Sequence, residues 1–151
     1  MEKTNFNPSE SLVFLTNRVG RLLSLHIHKL FASQTNQAIH MPHIGVLVDL
    51  WREDGVRQQD LAVSIIKDKG TIARALDSME RQNLVVRVTD PNDKRNKRIY
   101  LTHKGKAVRH ELFPHAEAVI NKASEDISEE EMAICQKVLA KVYQNLNHKV
   151  K

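Results

Sequence analysis

The chain of 151 residues has one cysteine, one tryptophan, four prolines and five glycines, and only 5% of it is aromatic. The lone Cys135 cannot close an intramolecular disulfide, which fits a reducing compartment. With so few glycines and prolines there is no low-complexity linker, and no internal repeat is found. At this length one sizeable core is expected. No run of about 20 apolar residues occurs, so no membrane partner is expected. Residues 1–8 lack an apolar stretch flanked by basic residues, so a secretory signal is not expected and the protein is read as cytoplasmic. Glycine-rich phosphate loops, activated-nucleophile signatures and zinc-protease helices are also missing, and nothing supports an enzyme or a cofactor. The acidic pairs at Glu53-Asp54 and at Glu129 to Glu131 end and begin helices, where carboxylates have a structural explanation.

What the chain does have is positive charge in one place. The formal net charge is +5, and within residues 67–109 twelve Lys and Arg stand against five Asp and Glu. The remainder of the chain is therefore net acidic. Solubility alone would scatter charge, whereas an anionic polymer partner needs it concentrated. A basic segment is more often a solvated face than a binding site, so it needs a scaffold that presents it.

Residues 9–33 read as a long helix with Ser9 as N-cap and with Leu12, Leu15, Val19, Leu22, Ile27 and Leu30 near helical spacing. Val13, Phe14, Leu23 and Leu25 spread the apolar surface beyond one stripe, so this helix should pack against a partner as well as its own chain. Residues 34–40 are a polar connector, and Pro42 suits the first turn of a second helix that ends at Glu53-Asp54-Gly55. Residues 57–66 form a short third helix with Leu61, Ala62 and Ile65 on its apolar face. After a break at Lys67-Asp68-Lys69-Gly70, with Asp68 or Thr71 available as cap, a fourth helix spans residues 71–81. Its Ile72, Leu76 and Met79 fall at i, i+4 and i+7 and face the core, which leaves Thr71, Arg74, Ser78 and Arg81 on the opposite side. Asn83 can take the left-handed conformation that closes the helix.

The period then changes. Residues 84–88 and 99–101 are β-rich runs, and the ten residues between them are turn-rich and basic, which predicts a hairpin with a charged tip. Thr102 caps a fifth helix that Pro114 should kink. Ser128 with Glu131 makes a capping box that opens a sixth helix. Met132, Cys135, Leu139, Val142 and Leu146 give that helix an apolar stripe, in which Cys135 is expected as a small core residue rather than a redox switch. A short helix, a tight break, a second helix with a polar outer face and a basic hairpin compose a winged helix-turn-helix, mainly α with a small β-hairpin wing. The expected division is a winged DNA-binding unit at residues 41–102 and a discontinuous dimerisation region at 1–40 and 103–151.

Three stretches carry a family likeness. Asp68-Lys69-Gly70-Thr71-Ile72-Ala73-Arg74-Ala75-Leu76-Asp77-Ser78-Met79-Glu80-Arg81, then Asp90-Pro91-Asn92-Asp93-Lys94-Arg95, then Leu101-Thr102-His103-Lys104-Gly105 resemble the MarR family of bacterial transcription factors. Asn83 stands where the family usually has Gly. The resemblance implies a homodimer with interleaved terminal helices, with Thr71 and Arg74 in the major groove and Arg95 in the flanking minor groove. It implies too that Asp93 orients Arg95 through an ion pair. The chemistry of the residues agrees: an outward Arg forks to guanine O6 and N7, and minor-groove Arg reads groove width. Ser78 belongs to the same outer face, while Lys69, Lys94, Lys97 and Arg98 are expected to hold phosphates.

The expected function is a repressor that binds a pseudo-palindromic duplex operator, with half-sites about 34 Å apart, and is released by a small aromatic or anionic effector. Two other readings stand beside it: a metal-dependent regulator of the same fold, and a winged-helix module that docks proteins. Eight histidines invite the first. His26 and His28, two apart on a helix, diverge by roughly 200°, and His110 and His115 are five apart, so neither pair aligns as ligands. His40 and His43 complete the candidates, and no metal site is expected.

Overall fold

The computed structural model describes residues 7–35 and 41–147. A 3-10 turn at Pro8–Glu10 precedes helix α1, Leu12–Gln34. Ser11, not Ser9, is the N-cap, its hydroxyl accepting the Phe14 amide at 3.2 Å. Pro8 starts the tight turn, Ser9 is bonded back to Asn7, and Ser11 is extended (φ −71°, ψ 151°), so the α-helix begins only after it. Helix α2 is Met41–Arg52, strand β1 Val56–Arg57, helix α3 Gln58–Ile65 and helix α4 Lys69–Arg81. Strands β2, Val85–Thr89, and β3, Lys97–Leu101, form the wing. Helices α5, His103–Ala123, and α6, Glu129–Asn147, follow, and α5 runs through Pro114 as one element. The His40 end of the expected connector lies outside the described residues.

The wing has a strand that the hydrophobic pattern did not announce. Val56 and Arg57 pair antiparallel with Ile99 and Arg98, giving a three-stranded sheet in the order β1-β3-β2. Two residues are too few for a period to register. The turn into β1 requires Gly55, at φ +73°, where a Cβ would lie 2.7 Å from the Tyr100 ring. Asp54 closes the arrangement by accepting the Leu101 amide at 2.9 Å.

One core holds α2, α3, α4, the sheet and the first half of α5 together. Leu47, Leu61, Leu76, Met79, Ile99 and Val108 are among its fully buried side chains. Each contributes about 1.5–3 kcal/mol by leaving water. Phe31 is the one buried residue of α1, packed edge-on to His115 of α5. Helix α5 enters this core through a close approach at Gly105, where a Cβ would stand 2.2 Å from the Leu84 carbonyl oxygen. Thr102 caps α5 by accepting the Gly105 amide (3.0 Å) and donates its hydroxyl to the Asn83 carbonyl (2.6 Å). Trp51 of α2 donates its indole N–H to the Gly105 carbonyl at 3.0 Å.

Beyond that core the chain is open. Helix α6 begins with the expected capping box, Ser128 and Glu131 exchanging bonds of 2.9 and 3.1 Å, but buries no residue. Cys135 is exposed rather than packed in a core, because α6 projects from its own chain with Ile134, Val138 and Leu146 also exposed. The same holds for Leu12, Leu15, Val19 and Leu22 of α1.

Two outcomes follow from the backbone. Ile66, between α3 and α4, sits at φ 57° and is 78% exposed, in a left-handed conformation that a β-branched residue adopts only at a cost. Ile66→Gly should raise stability by about 1 kcal/mol, a rise in melting midpoint of about 2–4 °C by calorimetry. Gly105→Ala should destabilise by about 1–3 kcal/mol in the same measurement, since backbone must move to admit the methyl group.

Candidate nucleic-acid interface

Helix α4 starts where it does because Asp68 caps it. Its Oδ1 accepts the Thr71 amide at 2.8 Å and its Oδ2 accepts the Thr71 hydroxyl at 2.6 Å. These two bonds, the hydroxyl first, hold the Asp68 carboxyl below the usual carboxylate range. Arg74 Nη2 donates to Thr71 Oγ1 at 3.2 Å. Burial of Ile72, Leu76 and Met79 turns the other face outward, leaving Arg74 and Arg81 exposed. Ser78, half-buried near the end of that face, accepts the Gln82 side-chain amide at 3.2 Å.

Arg87 ties the wing to α4. Its guanidinium bonds Asp77 and, at 2.8 Å, Glu80, while its backbone N–H donates to Glu80 at 3.0 Å. The Arg87 bonds hold the Glu80 carboxyl low, and Glu80, more than Asp77, raises the guanidinium's own value. At the wing base Asp90 is only 4% exposed. It accepts the Asn92 amide (2.9 Å) and Arg98 Nε (3.0 Å), and these bonds, the amide first, hold its carboxyl low. Arg98 also donates to the Gly55 carbonyl at 2.9 Å, so this guanidinium, expected to hold phosphate, joins β3 to the turn before β1. Lys97 Nζ donates to Thr89 across the hairpin at 3.0 Å and stays exposed.

At the tip the structure corrects one expectation. Asp93 makes no ion pair with Arg95. Its Oδ1 accepts the Arg95 backbone amide (3.0 Å) and its Oδ2 accepts the Asn96 side-chain amide (3.2 Å). A short acidic side chain reaches the backbone N–H two residues on more readily than a guanidinium at the end of a long stem, and closes an Asx turn. The exposed Arg95 guanidinium takes part in none of the ion pairs among the described residues, and Lys94 is exposed beside it.

Lys69 at the start of α4 and Arg95, Asn96 and Lys97 of the wing line one cleft of about 230 Å³ with Gln58 and Gln59 at the start of α3. Three of the expected cations thus converge, with Thr71 and Arg74 further along α4. The arrangement offers donors and positive charge to an extended anion. Gln58 and Gln59 escaped sequence reasoning because only the docking of the wing against α3 brings them to the cleft. Arg87 had a signal: it shares the inward face of β2 with Val85, and Asp77 and Glu80 lie three apart on α4. Lys104, at the start of α5, donates to the Gln82 carbonyl at 3.0 Å. Among the described residues no three His, Cys, Asp or Glu side chains group as metal ligands; His40 is outside them.

The model of the MarR family matches residues 39–97. The chain is similar to the HTH-type transcriptional regulator MhqR of Bacillus subtilis, at 27% identity over 120 residues covering 80% of this chain and 78% of that protein. It is 30% identical over 100 residues to YybA of the same organism, an uncharacterized HTH-type transcriptional regulator, covering 66% of this chain and 67% of the relative. A crystal structure of a MarR transcriptional regulator from Methanosarcina mazei Go1 superposes with a TM-score of 0.80 at 25% identity, covering 91% of this chain and 96% of that one.

The tip geometry makes a distinction that backbone hydrogen exchange can read. Asn in place of Asp93 keeps an acceptor for the Arg95 amide, whereas Ala does not. Asp93→Ala should therefore speed exchange at Arg95 about tenfold or more, and Asp93→Asn should change it little. Equal effects would mean that the charge, not the turn, orders the tip.

Proposed function

The chain belongs to the MarR family of transcriptional regulators, and from that membership we propose that it is a cytoplasmic homodimeric repressor that reads a pseudo-palindromic duplex and lets go of it when a small molecule binds. The observation that carries the DNA reading is the cleft. Lys69, Arg95 and Lys97 come from two separate elements to one concave surface, and Arg74 stands exposed on the neighbouring face of α4. In this reading Arg74 and Thr71 address base edges, with Ser78 at the end of the same face. Arg95 enters the minor groove from a tip that Asp93 shapes. Lys69, Lys94 and Lys97 neutralise phosphates, and Arg98 acts from the wing base. Two copies would place their α4 helices in successive major grooves about 34 Å apart.

The dimer reading is supported by helices that their own chain does not cover. Helix α6 buries no residue and α1 buries one. Residues 41–102 then form the winged unit, and 1–40 with 103–151 the dimerisation region. An effector that is aromatic or anionic suits the groove between α1 and α5, where Leu30 and Val119 lie among His26, Lys29 and Lys122.

Selection from a random duplex pool with purified protein should return an inverted repeat. On that sequence Arg74→Ala should cost about 1–3 kcal/mol and relax base preference. Lys97→Ala should weaken selected and random DNA alike and lower the salt slope by about one. Salt-insensitive binding, or equal losses for both variants on both DNAs, would contradict the assignment.

A further inference from the structure

We infer that Asp68 is a specificity-positioning residue, which through Thr71 sets the hydrogen-bonding polarity and the aim of the Arg74 side chain. The inference rests on the reading of α4 as the base-reading helix and deepens it. Three side chains form a relay whose direction is forced. A guanidinium only donates, an ionised carboxylate only accepts, and a threonine hydroxyl has a single proton. Arg74 Nη2 therefore donates to Thr71 Oγ1 (3.2 Å), and Thr71 must donate its proton to Asp68 Oδ2 (2.6 Å). The other carboxylate oxygen is held by the Thr71 amide at 2.8 Å, so the relay is anchored to the first turn of the helix.

The consequence is chemical. With its proton committed to Asp68 and one lone pair accepting from Arg74, Thr71 presents a single lone pair and its methyl group to a partner. It then suits the amino groups of adenine or cytosine, or the methyl of thymine, and is mismatched to guanine O6 and N7 or to a phosphate oxygen. Arg74, held at Nη2, keeps its remaining N–H groups for a fork to guanine without having to order the whole side chain on binding. Gly70 leaves room for this: a Cβ there would lie 3.2 Å from Asp68 Oδ1 and 3.3 Å from Arg74 Nη1. A cap alone would need only the Thr71 amide bond; the second carboxylate oxygen serves the relay.

Asp68→Asn separates the two roles. Its carbonyl still caps the helix, but its amide donates to Thr71 Oγ1 and frees the hydroxyl proton, reversing the polarity. Full-length wild type, Asp68→Asn, Thr71→Val and the double variant would be titrated with the wild-type-selected duplex and with a random duplex of equal length. Asp68→Asn should stay folded at the assay temperature, bind random DNA at least as tightly because a carboxylate near the phosphates is gone, and lose about tenfold in the ratio of selected to random binding. A pool selected afresh with it should change base at one position of each half-site. Thr71→Val should lose a similar factor and the double variant no more than either. Asp68→Ser, which caps without a second acceptor, should show the same loss and serves if the Asn variant is poorly folded. A wild-type ratio in Asp68→Asn and Asp68→Ser, or additive losses in the double variant, overturns the relay while wild-type sequence preference survives. A wild type without sequence preference overturns the DNA reading and the relay with it.

Discussion

The structure depends on the absence of one methyl group, at Gly105. There the start of α5 lies against the Leu84 carbonyl, closer than any side chain permits. Thr102 bonds both ways across the contact, accepting from Gly105 and donating to Asn83, and the Trp51 indole holds the Gly105 carbonyl. The end of α4, the start of β2, the end of β3, α2 and α5 all meet at this point. Displacing it would move α4 relative to α5.

The cations divide into those that build the surface and those that the surface presents. Arg87 and Arg98 are each held by a carboxylate and a further partner, and they fix the wing to α4 and to the turn before β1. Partly buried charge pairs of this kind are costly to break because one member is left stranded. Lys69, Lys94 and Arg95 have no such ties among the described ion pairs and remain exposed. A rigid base carrying free cations lowers the ordering cost of binding a polyanion. Asp93 fits the same logic. It shapes the backbone under Arg95 and leaves the guanidinium exposed.

The terminal helices follow a different principle. Their apolar residues are as numerous as those of the core helices, yet α6 buries none of its own. Ile134, Val138 and Leu146 of α6 and Leu12, Leu15 and Leu22 of α1 are exposed, more apolar surface than a lone soluble chain usually leaves in water. The core gathers the winged elements with Phe31 of α1 and Val108 and Leu112 of α5, whereas most of α1 and all of α6 lie outside it.

Much of this was legible in the chain because it is local. The spacing of Ile72, Leu76 and Met79 sets the buried face of α4 and so the exposed one. Asn83, the Thr102 cap on Gly105 and the Ser128–Glu131 box act within a few residues of themselves, and the concentration of Lys and Arg at residues 67–109 needs no fold to be seen. Tertiary structure decided what depends on distance in space. β1 exists only because β3 offers it partners, Gln58 and Gln59 reach the cleft only because the wing folds over α3, and Arg98 is drawn to Asp90 and Gly55 by the sheet. The bond made by Asp93 was settled by a backbone amide nearer than the expected guanidinium. Periodicity reports which way a residue faces, and only the assembled chain determines what it meets there.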